Sequence, residues 1–244
     1  MSVANVLATA SRVLAQIRHD TRTIALLLVV PSLLIGLMAW LFASTPVFDR
    51  VGPAMLGLFP FIVMFLVSSI STLRERRSGT LERLLTLPLG KLEFILGYAL
   101  AFAVLAVAQA LAAVAFAVWV CGLDINGSIW QLLGVALANG VLGTTLGLLA
   151  SAFAQTEFQV VQFMPAVVFP QVLLGGAILP RSEMPTTLHA ISNWLPLSHA
   201  IDALNAAASG SEGGAYVLVK VLVILAFVVA AIVLGAVTLR RRTP

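Results

Sequence analysis

Six separated runs of about 20 apolar residues constrain this chain more than any other feature, because each is long enough to cross the roughly 30 Å hydrocarbon core of a bilayer as a helix. They occupy residues 23–42, 54–73, 94–120, 129–152, 160–179 and 216–239. In lipid a spanning segment must satisfy its backbone N–H and C=O groups internally, which selects helices here. Hydrophobic residues make up 60% of the chain and charged residues 10%, against roughly 25% charged in soluble domains. The expected fold class is therefore all-α integral membrane, with six transmembrane helices. The 244 residues leave no room for a separate soluble catalytic domain. Chemistry that needs one belongs to another chain.

The cations set the expected orientation. Eleven of the 14 Lys and Arg residues fall in the first 22 residues, between Arg74 and Lys91, and at Arg240 to Arg242, while Arg50, Arg181 and Lys220 lie on the other side. By the positive-inside rule both termini and the segment from Arg74 to Lys91 are expected to be cytoplasmic. The sequence pI near 10.0 thus reflects basic span ends, not a nucleic-acid surface. Cys121 is the only cysteine, so no intrachain disulfide or multi-Cys metal pattern exists. No metal site is expected.

Residues 1–22 do not read as a span. Val3, Val6, Leu7, Ala10, Val13, Leu14 and Ile17 recur at helical spacing, with Asn5, Arg12, Gln16 and His19 opposite, the pattern of an interfacial amphipathic helix. Residues 23–244 then form the six-span domain. The first apolar run is longer than a signal-peptide core, and Leu41-Phe42-Ala43 lacks the small residue expected two before a cleavage point, so no cleavage is expected.

One dense charged insertion interrupts the apolar runs, from Arg74-Glu75-Arg76-Arg77-Ser78-Gly79 through Thr80-Leu81-Glu82-Arg83-Leu84-Leu85 to Pro88 and Lys91. Each charge would cost about 2.5–3.5 kcal/mol at a bilayer centre, so the insertion lies in water. Ser78-Gly79 suits a helix start, Glu82 its first turns and Pro88 its end. Leu81, Leu84 and Leu85 share a face away from Glu82, Arg83 and Thr86. The pattern fits both a short amphipathic helix at about 78–88 and an ordinary orienting loop.

The whole chain resembles the type-2 permeases of ATP-binding-cassette (ABC) exporters. Two stretches carry the likeness: the insertion just described, and Pro196-Leu197-Ser198-His199-Ala200-Ile201-Asp202-Ala203-Leu204. The second is similar to a phrase near the external end of the last span in daunorubicin-exporter-like and nodulation-factor-exporter-like permeases, although Asn205 stands where many members have Arg. The resemblance implies that Arg77, Gly79, Thr80, Leu81, Glu82, Arg83, Leu84, Leu85 and Pro88 belong to a cytoplasmic coupling helix docked by a nucleotide-binding ATPase subunit. It further implies two permease copies, as a homodimer, and cargo that is amphipathic, lipid-like or drug-like, as in multidrug efflux and antibiotic resistance.

The segment at about 180–214 is too apolar for a simple loop. Leu188, Ile191, Trp194 and Leu195 form a stripe that Pro196 separates from a second short helix, and such pieces sit re-entrantly when protein shields their ends. Gly175, Gly176, Pro196, His199 and Asp202 are the external-gate candidates. His199 and Asp202 stand three apart, and a local hydrogen bond or a cap explains them better than a metal pair does.

Polar residues within spans need partners or a wetted path. Ser68, Ser69, Gln109, Asn139, Thr144, Thr145, Gln162 and Gln171 are the candidates, with interhelical bonding the simpler role for each. Ser68, Ser69, Val161, Gln162, Pro165 and Val168 are the substrate-path candidates. Lys220, near an outer end, is expected to snorkel. The small residues Gly140, Gly143 and Gly147 are expected to admit a close helix neighbour. No intramembrane carboxylate or inverted repeat supports the alternative of an ATP-independent secondary transporter or channel. Gly90-Lys91 lacks the phosphate-loop context, so ATP and magnesium are expected in the partner subunit, and this chain is not expected to be an enzyme. An exporter of a lipid-linked saccharide fits the apolar spans equally well.

Overall fold

The computed structural model describes residues 2–43, 46–77 and 90–238. Nine α-helices and no strand occupy the described residues. They are α1 (Val3–His19), α2 (Thr21–Leu41), α3 (Val47–Arg77), α4 (Lys91–Ala115), α5 (Ile129–Phe153), α6 (Glu157–Leu174), α7 (Thr186–Ser192), α8 (Pro196–Ser209) and α9 (Gly214–Thr238). A π-helical turn, Phe116–Val120, extends α4, and a 3₁₀ turn, Arg181–Glu183, precedes α7. Six of these helices, α2 to α6 and α9, are long and apolar enough to cross a membrane. The chain is an all-α, multi-pass membrane protein.

Local chemistry fixes where the helices begin and end. The Asp20 carboxylate caps α2 by accepting from the Thr23 N–H at 3.2 Å and the Thr23 hydroxyl at 2.7 Å, which holds its pKa below the ordinary carboxylate value. Ser128 and Thr156 cap α5 and α6 through the N–H groups of Gln131 and Gln159, the side-chain acceptors that orphan first-turn donors require. Two expected spans change length. The second begins at Val47 and runs 31 residues through Pro53 and Pro60, because neighbouring helices hold a chain that proline alone would loosen. The fifth ends at Leu174, where Gly175 turns the chain and Gly176 adopts φ +90°, a conformation that side-chain-bearing residues avoid.

Helix α5 lies at the centre. Its expected small strip is used on two sides: a Cβ at Gly143 would come within 2.6 Å of Phe61 O of α3, and one at Gly147 would strike Ser68 Oγ and Phe65 O, while Gly140 faces Ala106 of α4 at 3.1 Å. Backbones approach this closely only where side chains are absent. Buried amides then cross-link the spans. Asn139 of α5 donates to Gly57 O of α3 at 2.6 Å, Gln109 of α4 to Leu27 O of α2 at 2.9 Å, and Ser68 of α3 to Thr144 O of α5 at 3.0 Å. Thr144 and Thr145 instead bond carbonyls of their own helix.

The bundle has two unlike ends. One carries α1, the charged end of α3, the start of α4 and the junction of α5 with α6. The other carries α7 and α8, and all four tryptophans of the sequence: Trp40, Trp119, Trp130 and Trp194, each exposed. Helix α1 packs on α4 through Thr9, Ala10, Val13 and Ile17. Its apolar face is shared, since Val3 and Leu7 stay exposed.

Candidate functional site

At the charged end, residues 78–89 lie outside the described residues, and with them Gly79, Thr80, Leu81, Glu82, Arg83, Leu84, Leu85 and Pro88. Arg77, the remaining residue of that set, is exposed at the last turn of α3. The geometry on either side of it is specific. Arg74 forms a two-pronged ion pair with Glu157 of α6, at 2.7 and 3.1 Å. Arg76 donates to Ser151 O of α5. Between them Glu75 turns inward and is buried, accepting from Arg12 of α1 at 2.6 Å and from Gln16 at 3.4 Å.

Arg12 also donates to the Tyr98 hydroxyl of α4 at 2.9 Å. Arg12 and Gln16, read as part of the polar face of an interfacial helix, reach the end of α3 because a buried carboxylate needs charged or hydrogen-bonding partners. Where the chain re-enters α4, Glu93 accepts from the backbone of Gly90 at 3.1 Å, from that of Ser2 at 2.6 Å, and from the Asn5 amide at 2.9 Å. One helix, α1, therefore grips the chain on both sides of residues 78–89.

The path candidates divide. Ser68 and Ser69 are fully buried, Ser68 bonded across to α5 and Ser69 to Phe65 O of its own helix at 2.6 Å. On α6, Val168 packs inward, whereas Val161, Gln162 and Pro165 are exposed. Gln171 reaches from α6 to α8, accepting from the Leu197 N–H at 3.3 Å, one of the donors left open in the first turn of a helix.

At the opposite end, Pro196 opens α8 at the first-turn position where its missing N–H costs nothing. Gly175 fits against α8, where a Cβ in place of its hydrogen would lie 3.1 Å from Ile201 Cδ1, and Gly176 turns the chain towards Arg181. His199 and Asp202 do not pair with each other. The Asp202 carboxylate accepts from Arg181 and, at 2.7 Å, from Lys220 of α9. Side-chain exposures of 9% for Arg181, 19% for Asp202 and 17% for Lys220 make this a largely buried cluster. Lys220, expected to snorkel, instead turns to the α8 carboxylate. Arg181 also donates to Ser192 Oγ at 2.9 Å and to Asn193 Oδ1.

His199 Nε2 lies 2.9 Å from Asn193 O, so it carries the proton there and leaves Nδ1 buried with no hydrogen-bond partner among the described residues. Burial first, then the Lys220 and Arg181 charges, hold its pKa below the ordinary histidine value. No group of three metal-ligating side chains occurs among the described residues.

Sequence reasoning missed Arg12, Glu75, Tyr98 and Glu93 as one polar seam, and Arg181 and Lys220 as partners of Asp202. The available signal was an acid at Glu75, four residues before Gly79, and an acid at Asp202 in an apolar phrase.

Relatives place the chain. The sequence matches a family model described as "ABC-2 type transporter" over residues 4–208, a stretch that reaches from α1 into α8 and holds five of the six span-length helices. The chain is 28% identical over 150 residues to a probable multidrug ABC transporter permease, YbhR, of Escherichia coli (strain K12), covering 62% of this chain and 41% of that protein. It is 26% identical over 156 residues to ABC transporter G family member 20 of Dictyostelium discoideum, covering 64% and 21%. With nodulation protein J of Rhizobium leguminosarum bv. viciae it shares 27% identity over 110 residues, covering 45% and 42%. The matched stretches span less than half the length of these relatives. With the profile covering most of its length, the chain belongs to the ABC-2 type transporter family, the membrane permeases of ABC transporters.

Proposed function

We propose that this chain is the permease subunit of an ABC exporter that moves an amphipathic or lipid-like, drug-like molecule out of a bacterial cell. ATP and magnesium are bound by a separate nucleotide-binding subunit, which docks on the coupling segment at 78–88. Two copies of the chain, a homodimer, enclose the path, with the charged end and both termini in the cytoplasm of an inner-membrane protein. The observation that carries this reading is the convergence of four helices on the last turns of α3: α1 through Glu75, α4 through Arg12 and Tyr98, α5 through Arg76, and α6 through Arg74. A displacement of the chain at residue 78 acts on all four at once. Nucleotide binding in the partner then biases a two-state bundle through contacts that differ between the states.

Co-expression with a candidate nucleotide-binding ATPase subunit from the same genome tests the reading. Glu82→Arg should abolish co-purification of the ATPase while membrane insertion persists, because charge reversal adds repulsion at a docking site. Wild-type co-purification and transport by a Glu82→Arg, Arg83→Glu chain would refute the docking assignment. Orientation is tested apart from docking. After Cys121→Ser, a thiol reagent confined to the outside of cells should label Ser211→Cys and spare Ser78→Cys.

A further inference from the structure

Three separate elements build the Arg181, Asp202 and Lys220 cluster: the turn after α6, helix α8 and helix α9. Two cations there share one carboxylate. Both ion pairs end on the same oxygen, Asp202 Oδ2, and among the described residues no second carboxylate pairs with either cation. The cluster therefore carries one surplus positive charge in a largely buried place, where an uncompensated charge is costly.

Donors are in surplus as well. A guanidinium has five N–H groups and an ammonium three. Arg181 directs three hydrogen bonds, to Ser192 Oγ, Asn193 Oδ1 and Asp202, and Lys220 directs one, to Asp202. Each is left with two N–H groups that no described residue accepts. The Tyr216 ring, centred 5.2 Å from Lys220 Nζ, offers a π-face but no full charge. His199 Nδ1 takes none of these donors, since it has no hydrogen-bond partner among the described residues. Sharing one oxygen keeps the two cationic heads within reach of a single small ligand. Water would satisfy the donors and leave the charge; an anion answers both.

We propose that Arg181 and Lys220 together bind one singly charged anion, chloride from solution or the phosphate of a lipid headgroup, which accepts from their spare N–H groups and cancels the surplus charge. Because the ligands come from different elements, the bound anion holds the turn after α6 and helix α8 against α9, and it favours the conformation in which the three meet. The site goes beyond the export reading and does not depend on it.

The test uses the purified full chain in phosphatidylcholine nanodiscs at fixed pH and ionic strength, with sodium chloride exchanged for sodium gluconate, whose anion is too bulky for a place between two side chains. Chloride should raise the unfolding temperature along a single-site curve, by about 3–6 °C for each tenfold rise above its Kd, since tenfold is about 1.4 kcal/mol and each kcal/mol moves Tm by about 2–4 °C at this size. It should also show excess broadening of its NMR line relative to empty discs, a readout that needs no unfolding. Lys220→Met leaves the Arg181 and Asp202 pair neutral and intact, and should remove both effects. Arg50→Gln, at an exposed cation outside the cluster, should keep both. Asp202→Asn doubles the surplus charge, so it should lower stability in gluconate yet tighten chloride binding.

Discs containing phosphatidylglycerol separate the two sources. Stabilisation in gluconate that no longer responds to chloride would support the site with a lipid phosphate as its anion, and an unchanged chloride response would support it with the dissolved ion. Equal stability in chloride and gluconate in both kinds of disc, with no gain from phosphatidylglycerol, would overturn the site. So would a chloride effect that survives Lys220→Met. Loss of the export reading through ATPase co-purification would leave these results standing, so the two ideas fail separately.

Discussion

Helices α5 and α6 adjoin in sequence, cross the same bilayer and bury 67% and 17% of their apolar windows, respectively. α5 is surrounded by α3, α4, α8 and α9, and it meets them with glycines, a buried asparagine and hydroxyls tied to their own turns. α6 touches mainly α3 and keeps a bare outward side interrupted by two prolines. Polar and proline content in a span is thus ambiguous on its own. In α5 polarity cements a packed interface; in α6 Gln171 is buried and reaches α8, while Gln162 faces outward with no hydrogen-bond partner among the described residues. Burial separates the two roles.

Substitutions can erase or sharpen that contrast. The largest effect should come where buried groups depend on one another, at the end to which both spans lead. Asp202→Ala leaves Arg181 and Lys220 largely buried and unpaired, and should cost about 3–5 kcal/mol in a thermal or denaturant unfolding assay in detergent. A loss below about 1 kcal/mol would show that the cluster is hydrated and not structural. Next, Gly143→Ala in α5 should cost about 1–3 kcal/mol, since its Cβ meets backbone that cannot yield, whereas Ala166→Ser in α6 should stay within about 0.5 kcal/mol. Equal losses at the two positions would leave the spans indistinguishable.

Smaller still, Gln109→Leu should cost about 0.6–1.7 kcal/mol, the range of interhelical hydrogen bonds in membranes, and Gln162→Leu nothing measurable. The smallest effect concerns pH. Because the His199 pKa is depressed in the fold, the unfolded chain binds the proton more readily, so stability is fully present above the ordinary histidine pKa and declines as pH falls from there towards the lower folded value. His199→Gln should flatten that decline in the same unfolding assay.

Much of this architecture was legible because lipid allows few solutions. Apolar length located all six spans, and Gly140, Gly143 and Gly147 marked the side of α5 that another backbone approaches. The charged segment was legible as a unit, yet its bracing was not. Glu75 read as one more charge in a basic loop, because its partner Arg12 lies 63 residues away and spacing along a helix carries no information about that distance. Lys220 failed for a related reason: near a span end, snorkelling is the default, and only the fold brings Asp202 within reach. The α6 stripe was partly legible, since Gln162 and Pro165 stood out as span residues, but that Ser68 is sealed while Gln162 is bare depends on which helix lies alongside.

The four tryptophans gathered at one end of the bundle make the protein its own one-sided optical probe. Indole emission responds to the polarity around the ring and to quenchers that collide with it, and here every indole sits at the same boundary while none sits at the charged end. Iodide added to one face of sealed vesicles should therefore reach either all of the emission or almost none of it, according to which way the protein is inserted. The unlabelled chain would report its own orientation, and any rearrangement of α7 would register through Trp194 against a background of only three other rings.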